Sequence, residues 1–112
     1  MNTSILTSIK SMLGIEESYT IFDNDLIIYI NSAISVLYQI GLESAESFTI
    51  TGAEETWNDL LSGYSNIETI KPLLYLRVRK IFDPPQSQSV MSAIDAQISE
   101  LEWRLNTEVD RG

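Results

Sequence analysis

The sequence predicts an all-α fold: a small antiparallel bundle of four to five helices, with a short extended or hairpin segment near residues 47–52. Three observations carry this. Apolar residues recur at steps of three and four along most of the chain, the mark of helices that bury one stripe. Glycine and proline punctuate those stretches where helices should end. Only Phe48-Thr49-Ile50-Thr51 has the composition of an extended segment.

Thr3 or Ser4 is placed to cap a first helix running to about Leu13, with Ile5, Leu6, Ile9, Met12 and Leu13 on one side and Gly14 at its end. Residues 16–20 read as a loop. Asp23 is positioned as the N-cap of a second helix that runs to Gln39 or Ile40 and stops at Gly41. That helix is apolar around most of its circumference: Leu26, Ile27, Ile30, Ala33, Ile34, Val36, Leu37, Tyr38 and Ile40 leave Asn31, Ser32, Ser35 and Gln39 as a narrow polar strip. Such a helix needs partners on several sides, within the subunit or between subunits.

Thr51 and Glu54 have capping-box spacing ahead of a short helix through Trp57, Leu60 and Leu61, which Gly63 should end. Asn66 can open a fourth helix through Ile67, Ile70, Leu74, Val78, Ile81 and Phe82. Leu73 and Leu76 lie off that stripe, so this helix too has more than one apolar neighbour. Pro72 falls in its first turns and predicts a kink, or a start delayed to about Lys71. Pro84 and Pro85 stop it near Asp83. Ser87 or Ser89 can then cap a last helix whose stripe is Val90, Ile94, Ile98, Leu101 and Leu105, with Glu100 four residues before Arg104 as a helical ion pair.

Trp103 is outside that stripe. At about 100° per residue it falls on the face of Ala96, between the small residues Ser92 and Ser99. A large aromatic among small neighbours on an outward face is what a docking chain requires, since tryptophan is enriched at interface hot spots; the alternative is packing under a loop of its own subunit. The bases Arg77, Arg79 and Lys80 are spread around the fourth helix. They serve charge balance within the chain, or an electrostatic contact with an acidic neighbour. Trp103, Ala96, Arg77, Arg79, Lys80 and Phe82 are the candidate residues for contact with another subunit or partner.

A length of 112 residues fits one domain, residues 1–112, with a modest core. No segment reads as an export signal or a membrane span. The net charge of −9 is unevenly placed: residues 1–70 hold ten acids and only Lys10 as a base, whereas 71–112 are balanced. An acidic body repels phosphate, which argues against tight binding of DNA but suits a surface past which DNA slides. Histidine and cysteine are absent. The usual zinc ligands, thiolate chemistry and histidine-dependent triads are therefore excluded. The glycines are isolated, so no phosphate loop is present. Of the carboxylates, Asp23 and Glu54 sit where helix N-termini favour acids, and Glu16-Glu17 and Glu54-Glu55 read as exposed loop or first-turn residues. The expectation is no catalytic residue, no metal and no cofactor.

Several stretches together resemble a known family. They are Tyr75-Leu76-Arg77-Val78-Arg79, Ile81-Phe82-Asp83-Pro84-Pro85-Gln86, Val90-Met91-Ser92-Ala93-Ile94, and Ile98-Ser99-Glu100-Leu101-Glu102-Trp103-Arg104-Leu105-Asn106. Leu13-Gly14-Ile15, Phe22-Asp23 leading into Leu26-Ile27-Ile28-Tyr29-Ile30-Asn31-Ser32, and Trp57 before Asp59-Leu60-Leu61 agree in layout. Over nearly the whole chain the sequence is similar to the head–tail connector proteins of long-tailed double-stranded DNA bacteriophages. Pro72 departs from the family pattern.

The resemblance implies an all-α structural protein of the virion, made in the host cytoplasm and forming a ring, commonly twelvefold, below the portal protein. The ring extends the DNA channel, without reading DNA sequence and without a membrane, and offers a platform to a downstream tail-completion or stopper protein. It implies no catalytic residues. The acid excess also fits a second class, a small helical inhibitor that mimics nucleic acid and blocks a DNA-binding protein.

Overall fold

Ser4 opens the first helix. In the computed structural model, which describes residues 3–62 and 68–111, its hydroxyl oxygen accepts from the Thr7 amide at 3.2 Å and α1 spans Ile5–Met12. The helix ends in a Schellman arrangement. Gly14, at a φ of +81°, donates to the Ser11 carbonyl, and Ile15 donates to that of Lys10. Gly41 plays the same part after α2 (Asp23–Ile40): its amide reaches the Tyr38 carbonyl and that of Leu42 reaches Leu37. A single 3₁₀ turn, Glu43–Ala45, follows.

The expected capping box is present but sits five residues later. Thr56, not Thr51, accepts from the Asp59 amide, while the Asp59 carboxylate accepts from the Thr56 amide at 2.9 Å, so α3 (Trp57–Leu61) starts at the tryptophan. Thr51 is instead engaged by Glu55, whose Oε2 accepts from both its amide and its hydroxyl. The helix ends at Ser62; the expected terminator Gly63, and the expected start of the next helix at Asn66 and Ile67, lie outside the described residues.

α4 (Ile70–Phe82) begins late, as Pro72 requires. The proline is the third residue of the helix, where its missing amide would have had no partner anyway. Asp83 ends it before Pro84. The Ser87 hydroxyl then receives the Val90 amide as α5 (Gln88–Arg111) begins.

Near residues 47–52 there is no hairpin. Besides the Glu55 contacts to Thr51, the segment is held by Asn31, whose Oδ1 accepts from the Ile50 amide at 2.7 Å and whose Nδ2 donates to the Ile50 carbonyl at 3.0 Å. Extended pairing among the described residues is a lone antiparallel bridge between Ser4 and Thr56, which ties the start of the chain to the start of α3.

The core lies where α2, α4 and α5 meet, with α1 and α3 closing its other side. Leu26, Ile30, Ala33, Ile34 and Leu37 of α2 are buried with Leu73, Leu74, Leu76 and Val78 of α4 and with Ile94, Ile98 and Leu105 of α5. Leu73 and Leu76 are thus inside, as their positions off the main stripe required. Trp57 is fully buried, and its indole N–H donates to Ser8 Oγ at 2.9 Å, so α3 is pinned on α1.

Three positions of the expected stripes are exposed, the first of them Met12 on α1 at 39%. Val90 and Ile81 are 43% and 53% exposed, because both flank the Pro-Pro turn and project past the end of the packed helices. Asp23 is likewise not a cap. It is the first residue of α2, preceded by Phe22, and its carboxylate lies 2.9 Å from the ammonium of Lys10. Lys10 is itself buried, at 2% exposure, and also donates to the Glu17 carbonyl. Its position four residues after Leu6 puts it on the apolar side of α1, where a cation needs both partners.

Leu105 is sealed and Leu101 only half-buried. Leu105→Ala should therefore cost about 2–5 kcal/mol in urea unfolding, and Leu101→Ala clearly less; equal costs would contradict this burial order. Burial raises the Glu55 carboxyl pKa, but hydrogen bonds from Thr51, Gly52 and its own amide outweigh that and hold it below its usual 4.5. The carboxylate's contribution to stability is then complete above pH 4.5 and fades as pH falls through the depressed value. The stability difference between wild type and Glu55→Gln, measured across that range, should be level at neutral pH and shrink below pH 4.5.

Candidate functional site

A cleft of about 550 Å³, open to solvent, lies along α1 and is lined by Thr3, Thr7, Ser8, Ser11, Glu17 and Lys71. Ser8 already receives the Trp57 indole N–H, and the Lys71 ammonium stands 5.4 Å from the Trp57 ring centre as a cation–π contact. Among the described residues no three carboxylates gather as a metal site, and no helix is long and apolar enough to cross a membrane.

The apolar surface is more informative. Trp103 is 69% exposed on the outward side of α5. Ser92, Ala96 and Ser99 share that face and are exposed as well, so the indole stands proud among small side chains. Among the described residues no loop covers it. Nearby, Arg104 makes the expected pair with Glu100, at 3.5 Å between side chains more than half exposed. Such a pair contributes a few tenths of a kcal/mol at most.

The other candidates are placed differently. Arg77 pairs with Glu102 through its Nε at 2.9 Å and through its second guanidinium nitrogen, and Lys80 reaches Asp95 at 2.6 Å. Both bases thus bridge α4 to α5, the charge balance within the chain that was one of the two readings. Arg79 is half-buried, with no ion pair among the described residues. Phe82 is half-buried and meets Phe22 edge-on at 5.2 Å, and Phe22 meets Tyr19 at 5.8 Å. The structure therefore does not bring the six candidates together. Trp103 and Ala96 form one face, Arg77 and Lys80 a seam, and Phe82 belongs to an aromatic group at the far end of α4.

That aromatic group is the surface that periodicity did not reveal. Tyr19 is 51% exposed, Ile21 70% and, at the end of α4, Ile81 53%. The signal was available as Tyr19, Ile21 and Phe22 in a short segment between helices, too few residues to show a period. Ile28 at 63% and Tyr38 at 44% add a second exposed apolar side to α2. The reading of α2 as a helix that needs partners on several sides, within the subunit or between subunits, is consistent with this exposure.

Over residues 5–112 the sequence matches the phage connector protein family. The chain belongs to that family. No curated protein and no solved structure is similar to it. As a phage connector it is a structural component of the virion that meets other head and tail proteins.

Since Trp103 contacts so little of its own subunit, Trp103→Ala should shift monomer stability by no more than about 0.5 kcal/mol. Thermal or urea unfolding of the isolated subunit measures this. A loss of several kcal/mol would mean the indole belongs to the fold.

Proposed function

We propose that the chain acts as one domain in a ring, twelvefold as in the connectors it resembles. This ring docks under the portal protein, continues the DNA channel and presents a platform to a tail-completion or stopper protein. Assembly takes place in the host cytoplasm before the connector is fixed at the head–tail vertex.

The observation that supports this best is that one small subunit carries uncovered apolar groups at separate places, Ile21 at 70% and Trp103 at 69% exposure. A two-fold dimer needs one self-complementary patch, whereas a closed ring needs two unlike ones. The negative charge supports passage of DNA through such a ring, because phosphates are not retained by acids. Nucleic-acid mimicry requires a dense free acidic array. Here Asp23, Asp59, Asp95, Glu102 and Glu108 are all engaged by Lys10, Thr56, Lys80, Arg77 and Thr69.

Native mass spectrometry of the concentrated protein, alone and with the portal protein of the same phage, tests the reading. A ring that forms with portal, or in its absence at high concentration, is the expected result. Monomer under every condition, with no portal association, would overturn it.

A further inference from the structure

We infer that residues 16–22, between α1 and α2, form a strap that the buried Lys10 ammonium fastens from inside, and that the strap opens as one piece while the helices stay folded. The inference does not depend on the ring.

All seven residues of the stretch are exposed. Its own bonds are turns: the Tyr19 amide donates to the Glu16 carbonyl at 3.0 Å and, where α2 begins, the Asp23 amide donates to the Thr20 carbonyl at 3.1 Å. Apart from that junction with α2, the hydrogen bond that ties the stretch to the body of the protein, among the described residues, runs from the Lys10 ammonium to the Glu17 carbonyl at 2.9 Å. The same ammonium pairs with Asp23 just past the other end. Apolar cover is thin. Phe22, edge-on to Phe82, is still 37% exposed.

Both ends permit the movement. On one side Ile15 is held by its amide bond to the Lys10 carbonyl and packs against the core, so motion beyond it does not pull on α1. On the other, Phe22 gives α2 no side-chain cap that opening would break.

What keeps the strap shut is the need of the cation. An ammonium in the core requires both of its partners, whereas the partners can turn to water: Glu17 is exposed, and the Asp23 side chain is 25% exposed. Opening therefore costs Lys10 and not the strap. An apolar side chain of similar length at position 10 removes that cost and leaves the packing of α1 whole. Because Tyr19, Ile21 and Phe22 ride on the strap, one buried charge decides whether that aromatic surface has a single fixed form.

Amide hydrogen exchange followed by NMR tests this on the wild type and on Lys10→Met. In the wild type the Tyr19 and Asp23 amides should exchange through a local opening, faster than those of Ile34 and Val78 in the core helices and with almost no dependence on dilute urea. In Lys10→Met they should exchange about tenfold faster still, while Ile15, Ile34 and Val78 keep rates close to wild type. Chymotrypsin should cut Lys10→Met after Tyr19 or Phe22 sooner than wild type, read from the fragment masses.

Tyr19 and Asp23 amides that exchange only together with the core amides would overturn the inference, because the strap would then open only with the whole fold. The wild type alone gives that answer should Lys10→Met fail to fold. Unchanged Tyr19 and Asp23 rates in a folded Lys10→Met would overturn it as well, since the fastening would lie elsewhere.

Discussion

The inner stripe of α2 is the constraint on which the rest depends. Leu26, Ile30, Ala33, Ile34 and Leu37 are sealed against α4 and α5, and α1 closes over them with Ile5, Leu6 and Ile9. In a chain of this size, one such stripe absorbs nearly all the apolar cover the other helices can give. Away from that stripe on α2, Ile28 and Tyr38 are left outside. The same limit leaves Trp103 outside on α5. The exposed groups are therefore what remains when five short helices share one small core, and a structural protein of the virion can use them for contact.

Polar side chains do the fastening that the core does not. Asn31 holds the 48–50 segment by two hydrogen bonds to Ile50, which is why that stretch needs no hairpin partner. Arg77 and Lys80 stitch α4 to α5. Both pairs are partly exposed and contribute little individually, within about 1 kcal/mol; their effect is to set how the two helices sit side by side. Lys10 is different in kind. Removing either of its partners would leave a buried ammonium short of a ligand, so the clasp must be kept whole.

Much of this was legible in the residues. Helix ends at Gly14, Gly41 and the Pro-Pro turn followed from backbone chemistry that does not depend on the fold, and Trp103 stood off its stripe by simple rotation. Several features were not legible, each for its own reason. Thr51 and Thr56 offer near-identical capping spacings, and only the pairing of Ser4 with Thr56 decides between them. Asp23 had an obvious local role as a cap, but a buried cation thirteen residues earlier outcompeted it. Val90 and Ile81 obey the period of their helices and still face water, because periodicity says which side a residue is on and not how far the neighbouring helix extends. The aromatic group of Tyr19, Phe22 and Phe82 joins positions some sixty residues apart, which no local pattern encodes.

The junction between α2 and α5 has a bearing on timing. Asn106 donates to the Ile40 carbonyl at 2.7 Å, satisfying the end of α2, and Val109 rests so close to Gly41 that a β-carbon there would sit 2.9 Å from its methyl. Leu105, beside them, is fully enclosed. The second helix is therefore completed by residues translated more than sixty positions after it. A nascent chain on the ribosome has no finished bundle until these residues emerge.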